Sequence, residues 1–229
     1  MTYLTIIQAR SSSSRLPRKS LLPIAGVPLA LLCAIRANNN FSRLIVATSN
    51  EASDDDLAKM LIEAGVEVFR GSLNNVLSRF INIADKYSLS SEDTIIRLTG
   101  DNPIVDGKFL EILKSHWERL ELDYLSAEPE DIENSNWPKG LSAEFIKLGL
   151  LKNSYMLDKG SYNLEHVTPY VRKNTPNKAF GDKITGWHFS KKYYFGIDDY
   201  DDYNRVRSIF NENTLLSPSL EIISDWSYI

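Results

Sequence analysis

The sequence predicts an α/β fold built on a mostly parallel sheet with helices on both faces. Two observations support this fold class. Short apolar runs rich in β-branched residues recur through the first half of the chain, and segments with apolar residues at helical spacing follow them. Such alternation is typical of right-handed crossovers between parallel strands. With 229 residues, 43% of them hydrophobic, the chain is long enough for one domain with a sizeable core.

The first half contains four predicted strands and four predicted helices. The strands are residues 4–7, 44–48, 66–69 and 94–99, and the helices begin at Pro28, Ser53, Asn74 and Asp106. Ser53 is the predicted N-cap of the second helix. Asp54, Asp55 and Asp56 resemble a metal cluster, but carboxylates in a first helical turn also oppose the positive end of the helix, and we favour that interpretation.

The second half follows a different rhythm. We predict strands over residues 123–125, 141–146 and 193–197, an irregular acidic loop over 128–139, and a helix over 148–158. Asp199 is the predicted cap of a last helix, which continues through Ile209. Residues 163–173 fit no single pattern. We expect this half to be an insertion onto the same sheet.

Composition excludes several partners. The chain has 30 acidic and 26 basic residues, a net charge of −4, which does not suit a nucleic-acid-binding protein. No apolar run approaches the ~18 residues that a spanning helix needs, and the N-terminus lacks the features of a signal peptide. We therefore expect a cytoplasmic protein with no membrane partner. The single cysteine, Cys33, is predicted to be a buried packing thiol.

A basic loop follows the first strand. Arg10, Arg15, Arg18 and Lys19 lie within ten positions of an acidic chain and flank the small residues 11–14. Open α/β sheets bind ligands at the carboxyl ends of their strands. Small side chains let backbone N–H groups approach a polyanion, and Arg and Lys neutralise it. The loop therefore suggests a triphosphate site, the alternative being a solvated surface loop with incidental charge.

This loop resembles the signature of the cytidylyltransferases that activate sugars. The matching residues are Gln8-Ala9-Arg10, Ser13, Arg15-Leu16-Pro17 and Lys19. The likeness is strongest to the spore-coat polysaccharide branch and extends to the 3-deoxy-manno-octulosonate and acylneuraminate enzymes. Ser12 stands where that branch often has Gly.

The resemblance implies a Rossmann-like nucleotide-diphospho-sugar transferase fold. Residues 1–229 would form one domain, with a nucleotide-binding half at 1–120 and a sugar-binding and dimerisation half at 121–229. It also implies a set of residues that contact CTP: Gln8, Ala9, Arg10, Ser13, Arg15, Lys19, Arg97 and Thr99.

Two aspartates are candidate metal ligands. Asp101 follows the fourth predicted strand, where a carboxylate can hold Mg²⁺ against phosphate but is also a common turn residue. The segment 97–103 resembles the Arg-x-Thr-x-Asp-x-Pro motif of the branch, which implies that Asp101 binds the metal. Asp198 follows the predicted strand 193–197 and resembles the second metal ligand of the family. Asp199 lies beside it, so the assignment is open by one position.

Two further segments resemble the sugar-binding part of the branch. Residues 137–144 are similar to its Pro-x-Gly-x-Asp-x-Glu segment, with Ser142 in place of the Asp, and residues 165–170 match Glu-His-Val-Thr-Pro-Tyr. The resemblance implies that Lys139, Glu144 and His166 contact the sugar. A structural role is the alternative for His166.

The resemblance implies transfer of CMP from CTP to an acidic cell-surface sugar, with release of pyrophosphate, in cell-envelope polysaccharide biosynthesis. Arg15, Lys19 and Asp101 would be catalytic, Mg²⁺ the cofactor and a homodimer the assembly. The alternatives are a uridylyl- or thymidylyltransferase on a sugar 1-phosphate and a non-catalytic nucleotide-binding module. All of this requires Lys19 to face Asp101 and Asp198 across one cleft.

Overall fold

A computed structural model describes residues 1–226 of the chain; residues 227–229, the end of the predicted second half, lie outside it. The strands are β1 (Tyr3–Gln8), β2 (Pro23–Ile24), β3 (Val27–Pro28), β4 (Arg43–Ser49), β5 (Val68–Gly71), β6 (Thr94–Thr99), β7 (Tyr124–Ser126), β8 (Glu144–Lys147) and β9 (Lys178–Phe180). The helices are α1 (Leu29–Ala37), α2 (Asp55–Glu63), α3 (Val76–Lys86), α4 (Gly107–Leu120), α5 (Leu148–Leu157), α6 (Ser161–His166), α7 (Pro169–Asn174), α8 (Gly181–Thr185), α9 (Tyr200–Ile209) and α10 (Ser219–Trp226).

Seven strands form one sheet in the order β5-β4-β1-β6-β8-β7-β9. Every strand pair is parallel except the two that involve β8, which runs against β6 and against β7. This arrangement confirms the predicted mostly parallel sheet. It also means that β1, β4, β6 and β7 all end at the same edge, so the loops after them meet there.

The core lies on both faces of the sheet. Ile6 and Ile7 are both fully buried, but successive strand residues point to opposite faces, so they join different apolar clusters. Ile7 shares its cluster with residues of α1 and α4, and Ile6 shares the other with residues of α3 and α5. Helices therefore cover both faces, as the alternating pattern predicts.

Several elements differ from their predicted bounds. β6 begins and ends where predicted, whereas β5 begins two residues late and β8 covers only the end of the predicted strand 141–146. Residues 163–173 form parts of α6 and α7, separated by a turn at Val167. No sequence prediction covers β9, α8 or α10.

The predicted strand at 193–197 is wrong. An isolated bridge joins Tyr194 to Lys139, and the Lys139 carbonyl accepts from the N–H groups of Phe195 and Gly196 at 2.7 and 3.2 Å. Because the partner segment is irregular, no ladder extends beyond this bridge. Alternate residues of the segment are nevertheless buried, Tyr193 and Ile197 among them. Burial on the core therefore produces the alternating pattern that indicated a strand.

None of the helices between residues 1 and 226 combines the length and apolar character that a membrane crossing requires.

Candidate active site

A cleft of about 430 Å³ opens at the shared carboxyl edge, beside the ends of β1 and β6. Its walls include every residue predicted to contact CTP or a metal. These are Gln8, Ala9, Arg10, Ser13, Arg15, Lys19, Arg97, Thr99, Asp101 and Asp198. His166 also lines the cleft, whereas Lys139 and Glu144, the other two predicted sugar contacts, are outside its walls.

The basic loop after β1 closes on itself through its backbone. The carbonyl of Ser11 accepts from the N–H groups of Ser13 and Arg18 at 2.9 and 3.0 Å, and the Ser20 hydroxyl donates to the Arg10 carbonyl at 2.7 Å. Arg18 has a positive φ of 57°, which reverses the chain into a 3₁₀ turn beginning at Lys19. The loop thus returns to the sheet edge and presents its lysine to the cleft.

A buried carboxylate from the next βα loop anchors this closed loop. Asp54 accepts from the backbone N–H of Ser11 at 2.6 Å and from the backbone N–H of Ser49 at 3.1 Å. The Ser49 hydroxyl also donates to it. Burial alone would raise the pKa of Asp54, but the hydrogen bonds from Ser49 and Ser11 outweigh it, and the pKa lies below its usual range.

The predicted role of this acidic segment is partly wrong. Ser53 does not cap α2. Asp54 is the residue at the cap position, and its side chain makes no capping hydrogen bond because it is directed towards the basic loop. Asp55 and Asp56 do lie in the first turn of α2, and they pair with Arg70 and Arg18. Residues 1–226 contain no group of three acidic, His or Cys side chains that could hold a metal.

Lys19 lies at the centre of the cleft's charges. Its Nζ donates to Asp101 Oδ2 at 2.8 Å and to the carbonyl of Ile197 at 2.7 Å, and lies 3.7 Å from Asp198 Oδ1. The side chain is only 13% exposed. The required geometry is therefore present, because Asp101 and Asp198 both lie close to the Lys19 ammonium group although they follow it by 82 and 179 positions in the sequence.

Asp198 also contacts two other cations. Arg15 Nη2 lies 2.9 Å from Asp198 Oδ1, and Lys139 Nζ lies 3.8 Å from Oδ2. The neighbouring Asp199 instead accepts from the N–H of Asp202 at 2.9 Å and caps α9, as predicted. Of the two adjacent aspartates, Asp198 faces the cleft and Asp199 serves the helix.

Close packing fixes the segment that carries Asp101. The N–H of Gly100 donates to the Gln8 carbonyl at 2.8 Å. A Cβ at position 100 would lie 2.8 Å from the Cβ of Ala9, so a side chain there would separate the Asp101 loop from the basic loop. Asn102 donates to the Thr99 hydroxyl at 2.8 Å, which completes a tight turn after β6.

Arg97 is held by a buried network. Its guanidinium donates to Gln8 Oε1 at 3.1 Å and to Glu144. Glu144 also accepts from the hydroxyl groups of Tyr124 and Thr168. Burial, followed by the adjacent Glu144, raises the pKa of Tyr124, which keeps its proton as the donor. Glu144 is therefore occupied by three protein donors and can act on a ligand through Arg97.

A strained turn supports the same network. Val167 has φ 72° and ψ −48°, and the N–H of Thr168 donates to the His166 carbonyl at 2.9 Å. This geometry is that of a rare γ-turn, and a β-branched residue makes it costlier. The turn directs His166 towards the cleft and the Thr168 hydroxyl towards Glu144. On the cleft side, Arg10 pairs with Glu165 at 3.0 Å.

Arg79 adds a second buried cation beside the cleft. Its guanidinium donates to the carbonyl groups of Ser72, Leu73 and Ala47 at 2.7, 3.1 and 3.3 Å. No carboxylate of the described chain forms an ion pair with it, and burial lowers the pKa of Arg79 to about 10. Its charge therefore favours an anionic or electron-rich ligand in the cleft.

Sequence reasoning missed Asp54, Arg79, Tyr124 and Thr168 as parts of the site. Asp54 has a detectable signal, since it closely follows β4 at the edge where β1 and β6 end. Arg79 lies on a predicted helix, where a long basic side chain is usually solvated. For Tyr124 the sequence carries no signal. Thr168 belongs to the segment 165–170 that resembles the branch, but its contact with Glu144 depends on the turn at Val167.

The sheet and its charged edge define an α/β protein with a cleft for an anionic ligand at the carboxyl ends of parallel strands. A family model described as Cytidylyltransferase matches residues 4–215. The chain therefore belongs to the cytidylyltransferase family, as the loop signature indicates.

Individual relatives agree with this family. The chain is 31% identical over 220 residues to the spore coat polysaccharide biosynthesis protein SpsF of Bacillus subtilis. The match covers 91% of this chain and 86% of that protein. This match supports the predicted spore-coat branch. A cytidylyltransferase structure from Leptospira borgpetersenii superposes with a TM-score of 0.84 at 26% identity, covering 100% of this chain and 94% of that one.

A more distant structure supports the fold. It is a CMP:2-keto-3-deoxy-manno-octonic acid synthetase in complex with CTP, with a TM-score of 0.62 at 18% identity, covering 91% of this chain and 98% of the other. The seven-stranded sheet is thus that of the nucleotide-diphospho-sugar transferases, as the resemblance implies.

Proposed function

We propose that this cytidylyltransferase binds CTP in the cleft and transfers CMP to a sugar, releasing pyrophosphate. The observation that carries the proposal is the position of Lys19, 2.8 Å from Asp101 and 3.7 Å from Asp198 at the carboxyl edge of the sheet. Attack by a sugar oxygen on the α-phosphorus needs positioning and charge neutralisation more than covalent help from the protein.

The cations of the basic loop have the charges that this reaction requires. Arg10, Arg15 and Lys19 would bind the triphosphate and stabilise the negative charge that develops on the departing pyrophosphate. Each is paired with a carboxylate in the free protein. Since exposed ion pairs contribute little free energy, exchanging a carboxylate for a phosphate is inexpensive for Arg10 and Arg15.

Gln8, Ala9, Ser13 and Thr99 would contact the nucleotide from the ends of β1 and β6. The form of the loop supports this assignment, because its small residues Ser12, Ser13 and Ser14 line the cleft. Arg97 has its orientation fixed by Glu144 and would donate to the nucleotide or the sugar. Arg79 would add positive potential from beneath.

The residues present suit Mg²⁺. Two carboxylates supply hard oxygen ligands, and Mg²⁺ typically takes one or two carboxylates and completes its shell with phosphate oxygens and water. Asp101 and Asp198 would hold it. When bound, the ion would neutralise phosphate charge and polarise the attacked phosphorus. Lys19 would keep the two carboxylates close together, since without a cation they would repel.

The sugar would lie on the β8 and β7 side of the cleft. His166 lines the cleft there, and Lys139 is within 3.8 Å of Asp198. Two cations, Arg97 and Lys139, suit a sugar that carries a carboxylate, which supports an acidic cell-surface sugar and a role in envelope polysaccharide synthesis. Glu144 would act indirectly, by orienting Arg97.

We also propose a homodimer. Met156, Leu157 and Tyr162 are exposed apolar residues of α5 and α6, and Tyr162 packs against His166 at the cleft. A second copy could cover this surface. Light scattering on a purified sample tests it: a mass of twice the 26.0 kDa chain is expected, and a monomer at micromolar concentration contradicts it.

The proposal is tested by pyrophosphate release. Wild-type protein is incubated with CTP, UTP, dTTP or ATP, with and without Mg²⁺, against a panel of keto-acid sugars and sugar 1-phosphates. We expect release with CTP, a keto-acid sugar and Mg²⁺. Release with UTP or dTTP and a sugar 1-phosphate would instead support the related nucleotidyltransferases, and tight CTP binding without turnover would support a non-catalytic module.

A further inference from the structure

Glu128 lies at a bend two residues after the end of β7. In the β7–β8 pair Ser126 is opposite Glu144, and the N–H of Ala127 still donates to the Ala143 carbonyl at 2.8 Å. Beyond this bond both segments leave the sheet, since Ala127 and Glu128 form a bend and residues 141–143 are irregular. Extending the two registers past the strand ends, from this pair and from the Arg97–Glu144 pair of β6 and β8, would bring Glu128 and Thr99 opposite Ser142.

This row begins inside the cleft. Gln8 pairs with Thr99, and the extended registers would continue this row through Ser142 to Glu128, both of which lie outside the cleft walls. With strands about 4.8 Å apart, Glu128 would stand about 10 Å from Thr99 along this line. That separation suits a sugar ring attached to a nucleotide whose phosphates are bound beside Thr99.

The side chain of Glu128 lies on the functional face. It comes two residues after the end of β7, where the hydroxyl groups of Tyr124 and Ser126 contact Glu144 and Arg172. The electrostatic surroundings agree: the groups that act on Glu128 are Glu144, Arg172, Arg97 and Lys139.

The carboxylate of Glu128 is partly buried yet has no hydrogen-bond or ion-pair partner among residues 1–226. Burial, and then the neighbouring Glu144, raise its pKa. A carboxylate in this state carries a desolvation cost that the nearby cations Arg172, Arg97 and Lys139 offset only in part. Its backbone is fixed nevertheless, because Arg172 Nη2 donates to the carbonyl of the next residue, Pro129, at 2.6 Å.

We propose that Glu128 is a specificity-determining residue for the sugar, and that its carboxylate accepts hydrogen bonds from donor groups of the sugar ring. This inference rests on the proposed function and names a contact within it. Ser142 stands opposite, where the branch that this segment resembles has an acid. The acidic group is thus supplied by the segment after β7 in this chain rather than by the segment before β8.

The donor is a hydroxyl group or a protonated amine, and two variants distinguish them. Glu128→Ala removes the acceptor. We expect the KM for the sugar to rise at least tenfold while the KM for CTP stays within twofold. Glu128→Gln keeps one acceptor oxygen without charge. A hydroxyl donor retains most of its affinity with Gln, whereas an amine loses as much with Gln as with Ala.

Glu130→Ala is the matched control, because it removes an exposed acid from the same loop, and we expect no change in either KM. If the alanine variant does not fold, Glu128→Asp replaces it, because aspartate keeps the charge but is shorter by one methylene group. A raised KM for the sugar in the aspartate variant supports the inference. Unchanged sugar kinetics in the alanine or aspartate variant of an active enzyme overturn it. Wild-type protein that releases no pyrophosphate with any sugar refutes the proposed function itself and this inference with it.

Discussion

The two ends of the cleft are built differently. At the proposed phosphate end, meaning residues 9–19 with Asp101 and Asp198, solvent reaches the ion pairs of Arg10 and Arg15, whose side chains are 44% and 64% exposed, although Lys19 is only 13% exposed. At the sugar end, meaning Arg97, Glu144, Tyr124, Thr168 and Glu128, the central pair is nearly buried, with Arg97 14% and Glu144 9% exposed.

This difference means that ligands can replace protein partners at the phosphate end, whereas the side chains of the sugar end have a fixed geometry. Solvated ion pairs are weak, so a triphosphate can replace the carboxylate partners of Arg10 and Arg15 at little cost. Buried polar networks are stiff and intolerant of a missing partner. The phosphate end is therefore suited to a common, highly charged ligand, and the sugar end to discrimination among similar neutral or acidic rings.

The largest effect should come from the one deeply placed cation of the phosphate end. Lys19→Ala removes the group that joins Asp101 and Asp198 and that would bind the leaving pyrophosphate. In other enzymes, loss of one hydrogen-bond donor that stabilises the transition state lowers the rate by about 10²–10³-fold. We expect the rate of pyrophosphate release to fall by at least as much. Lys59→Ala, on the exposed side of α2, is the control. Wild-type turnover in the Lys19 variant would contradict the assigned role.

A second prediction separates the two adjacent aspartates. Asp198→Asn removes a proposed metal ligand, so turnover should fall by about 10²-fold and the Mg²⁺ concentration for half-maximal rate should rise. Asp199→Asn is the matched control, because Asn caps a helix as well as Asp. We expect it to keep wild-type activity and Mg²⁺ dependence. The reverse pattern would assign the metal to Asp199.

The anchor of the basic loop should have an intermediate effect. Asp54→Asn replaces one carboxylate oxygen by an N–H group that cannot accept from Ser11 or Ser49. We expect the Kd for CTP, measured by calorimetry, to rise about tenfold and the unfolding free energy to fall by about 1–3 kcal/mol. Asp55→Asn changes an exposed, ion-paired residue of α2 and should change neither the Kd for CTP nor the unfolding free energy. A wild-type Kd for CTP in Asp54→Asn would show that the loop holds its shape without the anchor.

The same anchor should give an acid dependence of stability. Because the pKa of Asp54 is depressed in the folded protein, its stabilisation is complete above the unfolded value of about 3.9 and is lost as pH falls below it. Urea titrations between pH 7 and pH 3 should therefore show a smaller stability loss for Asp54→Asn than for the wild type. Equal losses would mean that other carboxylates dominate.

The phosphate end could largely be predicted because its cations lie close together in sequence and its aspartates follow apolar runs. The parallel sheet was predictable for a similar reason, since each strand and its helix form a local pattern. Asp54 shows the limit: capping a helix and anchoring a loop use the same residue type at the same position. The two roles differ only in where the carboxylate points.

The sugar end could not be predicted to the same degree. Glu144 was expected to contact the sugar, but it contacts Arg97, 47 positions away, through a register that no local pattern specifies. The prediction of a strand at 193–197 was wrong for a related reason. A segment with one buried face shows alternating apolar residues whether or not it pairs with another strand. Where a site depends on pairing between distant strands, the sequence indicates the residues and leaves their partners open.

The smallest effect should come from the outer layer of the sugar end. Tyr124→Phe removes one of the three protein donors to Glu144 and leaves the ring in place. Because Arg97 and Thr168 still hold the carboxylate, we expect a loss of about 1 kcal/mol, or about fivefold, in kcat/KM for the sugar. The Kd for CTP should not change. Tyr200→Phe, an exposed tyrosine on α9, is the control. If Tyr124→Phe weakened CTP binding as much as it lowered kcat/KM for the sugar, the network would support the whole cleft. The contrast between the two ends of the cleft would then not hold.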